Sequence, residues 1–322
     1  MTPAFSACSS ILPSSRREEG KHAPVARYIA ESRTMANDAA APTFILVLSC
    51  PDRIGVVADV AAFLVQHNCN IVESAQFGDP DNGLFFLRNA FQPLSGVNIE
   101  TLRSDFAAVA ARYDMTAHFF DAAARVKTLV LVSKLGHCLN DLIFRNATGA
   151  LPIEIVGVVS NHSDFEQLTR SAGLAFDHLP VKAETKAAQE AQIQKIAEAR
   201  GAELIVLARY MQVLSGDFCG RWPGRIINIH HSFLPSFKGA QPYQRAHARG
   251  VKLIGATAHY VTDDLDEGPI IEQGVHRVQH SMTAQDFVAG GRDVEAVVLA
   301  RAVKWHAERR ILLSGLRTVV FP

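Results

Sequence analysis

What this 322-residue chain lacks already narrows what it can be. Its five cysteines, Cys8, Cys50, Cys69, Cys138 and Cys219, are odd in number and scattered, with no C-x-x-C pair. That leaves neither a disulfide framework nor a zinc knuckle, and it fits a reducing, cytoplasmic setting. Net charge is missing too, since 32 Lys and Arg balance 32 Asp and Glu. A neutral chain has no basic field with which to hold nucleic acid or an anionic membrane. No apolar run approaches the ~20 residues of a membrane span, and the N-terminus has no compact hydrophobic signal core. There is no H-E-x-x-H pair, no G-x-S-x-G elbow around Ser232 and no repeat at solenoid spacing. A small, individually recognised ligand is the remaining expectation.

What is present is enough for a full-sized core. With 48% hydrophobic residues and a mean hydropathy near zero, the length predicts two domains. Residues 1–42 carry Ser, Arg, Ala and Pro without an apolar period and read as a disordered extension, with Met35 as an alternative start. Glu18, Glu19 and Glu31 argue against a transit peptide. From residue 43 to 121 the pattern gives strand, helix, a hairpin across Asp79–Gly83, helix and strand: a ferredoxin-like βαββαβ domain. After a linker, 122–125, strands and helices alternate over 126–322, predicting a Rossmann-like, mostly parallel α/β domain closed by two antiparallel strands, a long helix and a terminal hairpin. Ligands in such sheets sit beyond the carboxyl ends of the strands. That rule selects Ser133–Cys138, Asn161 and His162, Arg209–Ser215 and the loop after Ile229.

The densest chemistry lies between Arg225 and Gln273. Asn228 and His230 stand two apart in an apolar run, so a strand there points both to one face. Leu253–Val261 leads into a carboxylate-rich turn, Thr262–Pro269. An amide, an imidazole and a carboxylate suit addition of a nucleophile to a carbonyl: two groups can donate to the developing oxyanion, and the acid takes a proton. A carboxylate near the imidazole favours its protonated form. By spacing alone His230 could be a structural histidine and Asp266 a solvated turn acid. His231, His247 and His259 with nearby carboxylates leave a metallohydrolase open, although no ligand pair shares one face.

Asn228-x-His230, Ser232-Phe233-Leu234-Pro235 and the run from His259 to Pro269 resemble the folate-dependent formyltransferase family. The resemblance implies Asn228, His230 and Asp266 as catalytic residues. His231, where glycinamide ribonucleotide formyltransferases usually have proline, is similar to the formyltetrahydrofolate deformylases, as is Ser133-Lys134-x-x-His137-Cys138. The same resemblance assigns substrate contacts to Lys134, His137, Met211, Val213, Leu214 and Asp263, with 10-formyltetrahydrofolate as substrate, no cofactor and no metal. Residues 43–121, with Cys50-Pro51-Asp52-Arg53-Ile54-Gly55 at the first turn, resemble an ACT domain, which implies dimerisation and an amino-acid effector. Exposed amides near Ile54, Gly55 and Val56 could take its carboxylate. Against the family pattern, Gln241, Gln244-Arg245 and Gly274 depart at the expected rim. The first turn has a single glycine, a poor phosphate cradle, so water is the expected acceptor. Transfer to an unphosphorylated amine and a silent amino-acid sensor remain the alternatives.

Overall fold

A computed structural model describes residues 42–234 and 242–322, which fall within one compact unit, Ala40–Pro322. The expected extension up to residue 41, the start at Met35, Pro235 and the departure at Gln241 lie outside the described residues. The first domain runs β1 (Phe44–Pro51), α1 (Val56–Gln66), β2 (Cys69–Asp79), β3 (Leu84–Pro93), α2 (Ile99–Arg112) and β4 (Thr116–Asp121). Its sheet has the order β2-β3-β1-β4, antiparallel throughout, which is the interleaved βαββαβ expected. Alternation decides the core. Phe44, Leu46 and Leu48 of β1 and Phe85, Leu87 and Phe91 of β3 pack with Val60, Phe63 and Leu64 of α1 and Leu102 and Phe106 of α2. Each such side chain contributes ~1.5–3 kcal/mol on burial. Asn98 caps α2 by accepting from the Thr101 amide at 2.8 Å.

The second domain begins with β5 (Val126–Val132), α3 (His137–Ala147), β6 (Ile153–Ser160), α4 (Glu166–Ser171) and β7 (Phe176–His178). A 3₁₀ turn, Ala183–Thr185, leads to α5 (Lys186–Ala199), β8 (Leu204–Leu207), α6 (Gly216–Gly220), β9 (Ile226–His230) and α7 (Pro242–Arg249). The chain ends with β10 (Leu253–Tyr260), β11 (Ile270–Arg277), α8 (Ala284–Ala307), β12 (Ile311–Ser314) and β13 (Arg317–Val320). The main sheet is ordered β11-β10-β9-β8-β5-β6-β7: five parallel strands, then β10 antiparallel to β9 and β11 antiparallel to β10. Both faces are covered. Val130 and Val132 pack toward α3 and α8, while Leu129 and Leu131 pack toward Ile193 and Ala197 of α5. Helices α6 and α7 were not anticipated; at five and eight residues they are too short to show an apolar period. The four described cysteines are free and buried, and no helix among the described residues is long and apolar enough to cross a membrane.

The outer face of the first domain's sheet is buried as well: Ile45, Phe86, Arg88 and Ala90 alternate with the core residues yet are nearly inaccessible. The C-terminal segment docks there. Arg88 donates from Nε and Nη2 to the Glu308 carbonyl, at 3.2 and 3.1 Å, just past the end of α8. Arg310 forks onto both oxygens of Glu73 at 2.8 and 3.3 Å, and Arg317 pairs with Asp79 and Asp81, each at 3.1 Å.

Near the same end of α8, the Tyr260 hydroxyl donates to His306 Nδ1 at 2.8 Å. Burial pushes the His306 imidazole from 6.5 down to about 3, with the positive Arg309 adding to the shift. Between those values the unfolded chain holds a proton that the folded one refuses, so stability falls as pH falls from 6.5 toward 3. The expected slope from this one group is about 1.4 kcal/mol per pH unit. Urea titrations at several pH values check it, and His306→Gln, which can still accept from Tyr260, is expected to flatten the slope.

Candidate active site

The parallel strands end at one rim, and the residues that bear chemistry collect there. Asn228 and His230 share a face of β9, as period two requires. The antiparallel register sets His259 of β10 directly opposite Asn228. After β10 the chain turns through Val261–Pro269, closed by a hydrogen bond from the Tyr260 amide to the Pro269 carbonyl at 2.9 Å. Gly268 is required in this turn, because a Cβ would lie 1.8 Å from the Tyr260 carbonyl oxygen. The turn delivers Asp266 with its backbone at φ 60°, a left-handed conformation unusual for a residue other than glycine.

The three groups meet. Asp266 Oδ1 lies 3.3 Å from His230 Nδ1 and 3.8 Å from His259 Nε2. His230 Nε2 is 2.9 Å from Ser232 Oγ, and that hydroxyl can donate onward to the Phe233 carbonyl at 3.4 Å. One ring nitrogen of His230 thus faces a carboxylate and the other a hydroxyl. His259 is a different case. Burial holds its proton affinity below the ordinary value, against the pull of Asp266. Its Nδ1 donates to the Tyr260 carbonyl at 2.9 Å, leaving Nε2 to accept from Asn228 Nδ2 at 3.1 Å. A neutral ring therefore fixes which way the Asn228 amide faces and leaves its second N–H for a ligand.

These residues line one end of a cavity of about 570 Å³, a size suited to a small molecule. The loop after β8 forms another wall. Met211 and Val213 are exposed apolar side chains at 56% and 54%, while Leu214 is buried. Arg209 starts the loop at φ 64°. The Met211 amide donates to Ser133 Oγ at 3.0 Å, and Glu190 of α5 accepts from the Ser215 amide at 3.0 Å and from its hydroxyl. The loop is thus pinned from two sides.

Of the sequence-derived candidates, His137, Met211, Val213, Leu214, Asn228, His230, Asp263 and Asp266 line the cavity. Lys134 does not. It is exposed, and its neighbours Leu135 and His137 are the ones that turn inward. Ile54, Gly55 and Val56 sit in the first domain's turn, where Gly55 precedes α1 at φ 101° without a side-chain cap. Sequence reasoning missed Tyr243 and Glu295, and it placed Arg209 at the rim without giving it a role. The Glu295 carboxylate, 1% exposed, accepts from Tyr243 Oη at 2.6 Å and His137 Nε2 at 2.7 Å, with Arg209 Nε 3.3 Å away. Burial works against its ionisation, but His137, Arg209 and Tyr243 together hold it below the usual carboxylate range. The available signal was an acid on the apolar stripe of α8, three and four residues before Val298 and Leu299.

Among the described residues, the grouping with metal-ligand spacing is His137, Cys138 and Glu295, not the three histidines first considered. Beside that group Arg209 lies 3.3 Å from Glu295, and burial raises the Cys138 thiol well above its ordinary range.

Residues 126–303 match the formyl transferase family model, and residues 44–104 match the ACT domain model. A formyltetrahydrofolate deformylase of Corynebacterium sp. strain P-1 is 50% identical over 277 residues, 86% of this chain and 97% of that protein. The chain belongs to the formyltetrahydrofolate deformylase family. A crystal structure of a member from Burkholderia mallei covers 87% of this chain and 100% of its own, at 54% identity and a TM-score of 0.84. A glycinamide ribonucleotide transformylase from Symbiobacterium toebii covers 63% of this chain and 97% of its own, at 30% identity and a TM-score of 0.59. Membership in the deformylase family accounts for both domains, whereas the transformylase has the extent of one.

Proposed function

We propose that this cavity hydrolyses 10-formyltetrahydrofolate to tetrahydrofolate and formate, with Asn228, His230 and Asp266 as its catalytic residues. The observation that carries the reading is the convergence of those three side chains at one end of a ligand-sized cavity whose adjoining wall is apolar. The pterin ring lies against Met211, Val213 and Leu214, which brings the formyl carbon to the polar end. Asp266 orients a water molecule and takes its proton as the oxygen adds to that carbon. Charge then develops on the formyl oxygen, where the free N–H of Asn228 and the cationic ring of His230 stabilise it. Collapse breaks the bond from carbon to N10, the proton passes to N10, and formate and tetrahydrofolate leave.

The ACT domain makes an amino-acid effector part of the proposal. Its carboxylate would meet the amides at Ile54, Gly55 and Val56, at a helix start that no side chain caps. A homo-oligomer in the cytoplasm, releasing formate for one-carbon metabolism and purine synthesis, completes the reading. The test is formate release by the full chain from 10-formyltetrahydrofolate, with and without a panel of amino acids. Formate in stoichiometric step with tetrahydrofolate is expected; folded protein that releases none overturns the reading.

A further inference from the structure

The transformylase shares the fold of the second domain, so the choice between water and an amine as acceptor resides in side chains rather than architecture. The cavity shows where that choice can be made. The His231 ring stacks on His230, with centroids 5.1 Å apart and planes within 17°, and lies 6.5 Å from the ring of Tyr243. Tyr243 donates to Glu295, which also holds His137 at the first turn of α3 and balances Arg209. A continuous line of side chains therefore runs from the proposed catalytic ring to the mouth of the first strand-to-helix turn.

Resting on the hydrolytic reading above, we propose that Tyr243, Glu295, His137 and Arg209 form the acceptor-side wall of the cavity and exclude amines, so that water receives the formyl group. The Glu295 carboxylate at its centre is engaged on both oxygens, while Arg209 Nε lies close by without a hydrogen bond of its own. One carboxylate oxygen of Glu295 accepts from Tyr243 and the other from His137, and Arg209 balances the charge from 3.3 Å. On this wall the one carboxylate, Glu295, is already engaged, so an incoming amine finds no free acceptor there; the cavity's other carboxylates, Asp263, Asp264 and Asp266, belong to the turn after β10. Tyr243 is also firmly seated: its ring packs on α8 so closely that a Cβ on Gly291 would fall 2.2 Å from it. Water needs only Asp266 and fits where a substituted amine does not.

Partitioning between two acceptors tests this directly. The full chain is given 10-formyltetrahydrofolate with glycinamide, and formate and N-formylglycinamide are both measured. In the competing reaction the glycinamide nitrogen bonds to the formyl carbon, the bond to N10 breaks and the amine proton passes to N10. The wild-type chain is expected to give formate. Tyr243→Ala, which opens the wall, and His137→Ala, at the half-buried start of α3, are each expected to raise the N-formylglycinamide share by about tenfold or more. The second variant stands in if the first fails to fold. A folded variant with the wild-type product ratio overturns the proposal, as does wild-type protein that formylates glycinamide as readily as water. Loss of all turnover in folded His137→Ala overturns it as well, since the wall would then serve the chemistry itself. Wild-type protein that releases no formate at all fails the hydrolytic reading instead.

Discussion

Asp266→Asn is expected to lower kcat for formate release by about 10²–10⁴-fold, the range of a lost general base. The substitution is a clean one. Asp266 sits at φ 60°, a conformation that asparagine tolerates better than most residues, so the turn survives the change. The amide is nearly isosteric but cannot take a proton from water. It also removes the negative charge 3.3 Å from His230 Nδ1. The proposed pterin wall, Met211, Val213 and Leu214, is not touched by the change, so KM is expected to stay near the wild-type value. Steady-state kinetics decide: activity near wild type removes Asp266 from the chemistry. A rise in KM with kcat intact assigns it to ground-state binding instead.

The second large effect is at Asn228. Asn228→Ala removes an oxyanion donor, and kcat is expected to fall by about 10²–10³-fold. It has a structural cost that Asp266→Asn lacks. Nε2 of the buried His259 loses the amide that donates to it at 3.1 Å, and an unsatisfied buried acceptor costs about 1–3 kcal/mol. Denaturation and kinetics measured on the same variant separate the two losses. A variant with lowered stability and unchanged kcat refutes the oxyanion role and leaves Asn228 as a partner of His259.

Asn228 and His230 were legible in the sequence because their signal is local: two polar residues at strand spacing in an apolar run. Asp266 was not legible in that way. Three other acids crowd its turn, and only the resemblance singled it out; the fold then supplies the reason, an antiparallel β10 that returns the chain to β9. Both domains could be read from periodicity, since Leu46, Leu48, Val130 and Val132 repeat at the spacing their elements require. The Glu295 cluster escaped because its partners lie 52 and 158 residues away, beyond any local pattern. Lys134 lies off the cavity lining for a simpler reason. Within a tight turn, adjacent side chains leave in different directions, and the motif spelling carries no sign of which one faces the cavity. The burial of Arg88 was equally hidden, because the carbonyl it meets is 220 residues downstream.

That last contact changes how the chain can be divided. Residues 122–125 look like a convenient place to cut, yet a fragment ending there would leave the Arg88 guanidinium without its carbonyl and open Ile45, Phe86 and Ala90 to water. Severed, the first domain keeps its fold-forming strands but gains an adhesive face. Fragment boundaries for this chain follow the packing of its tail, not the apparent seam.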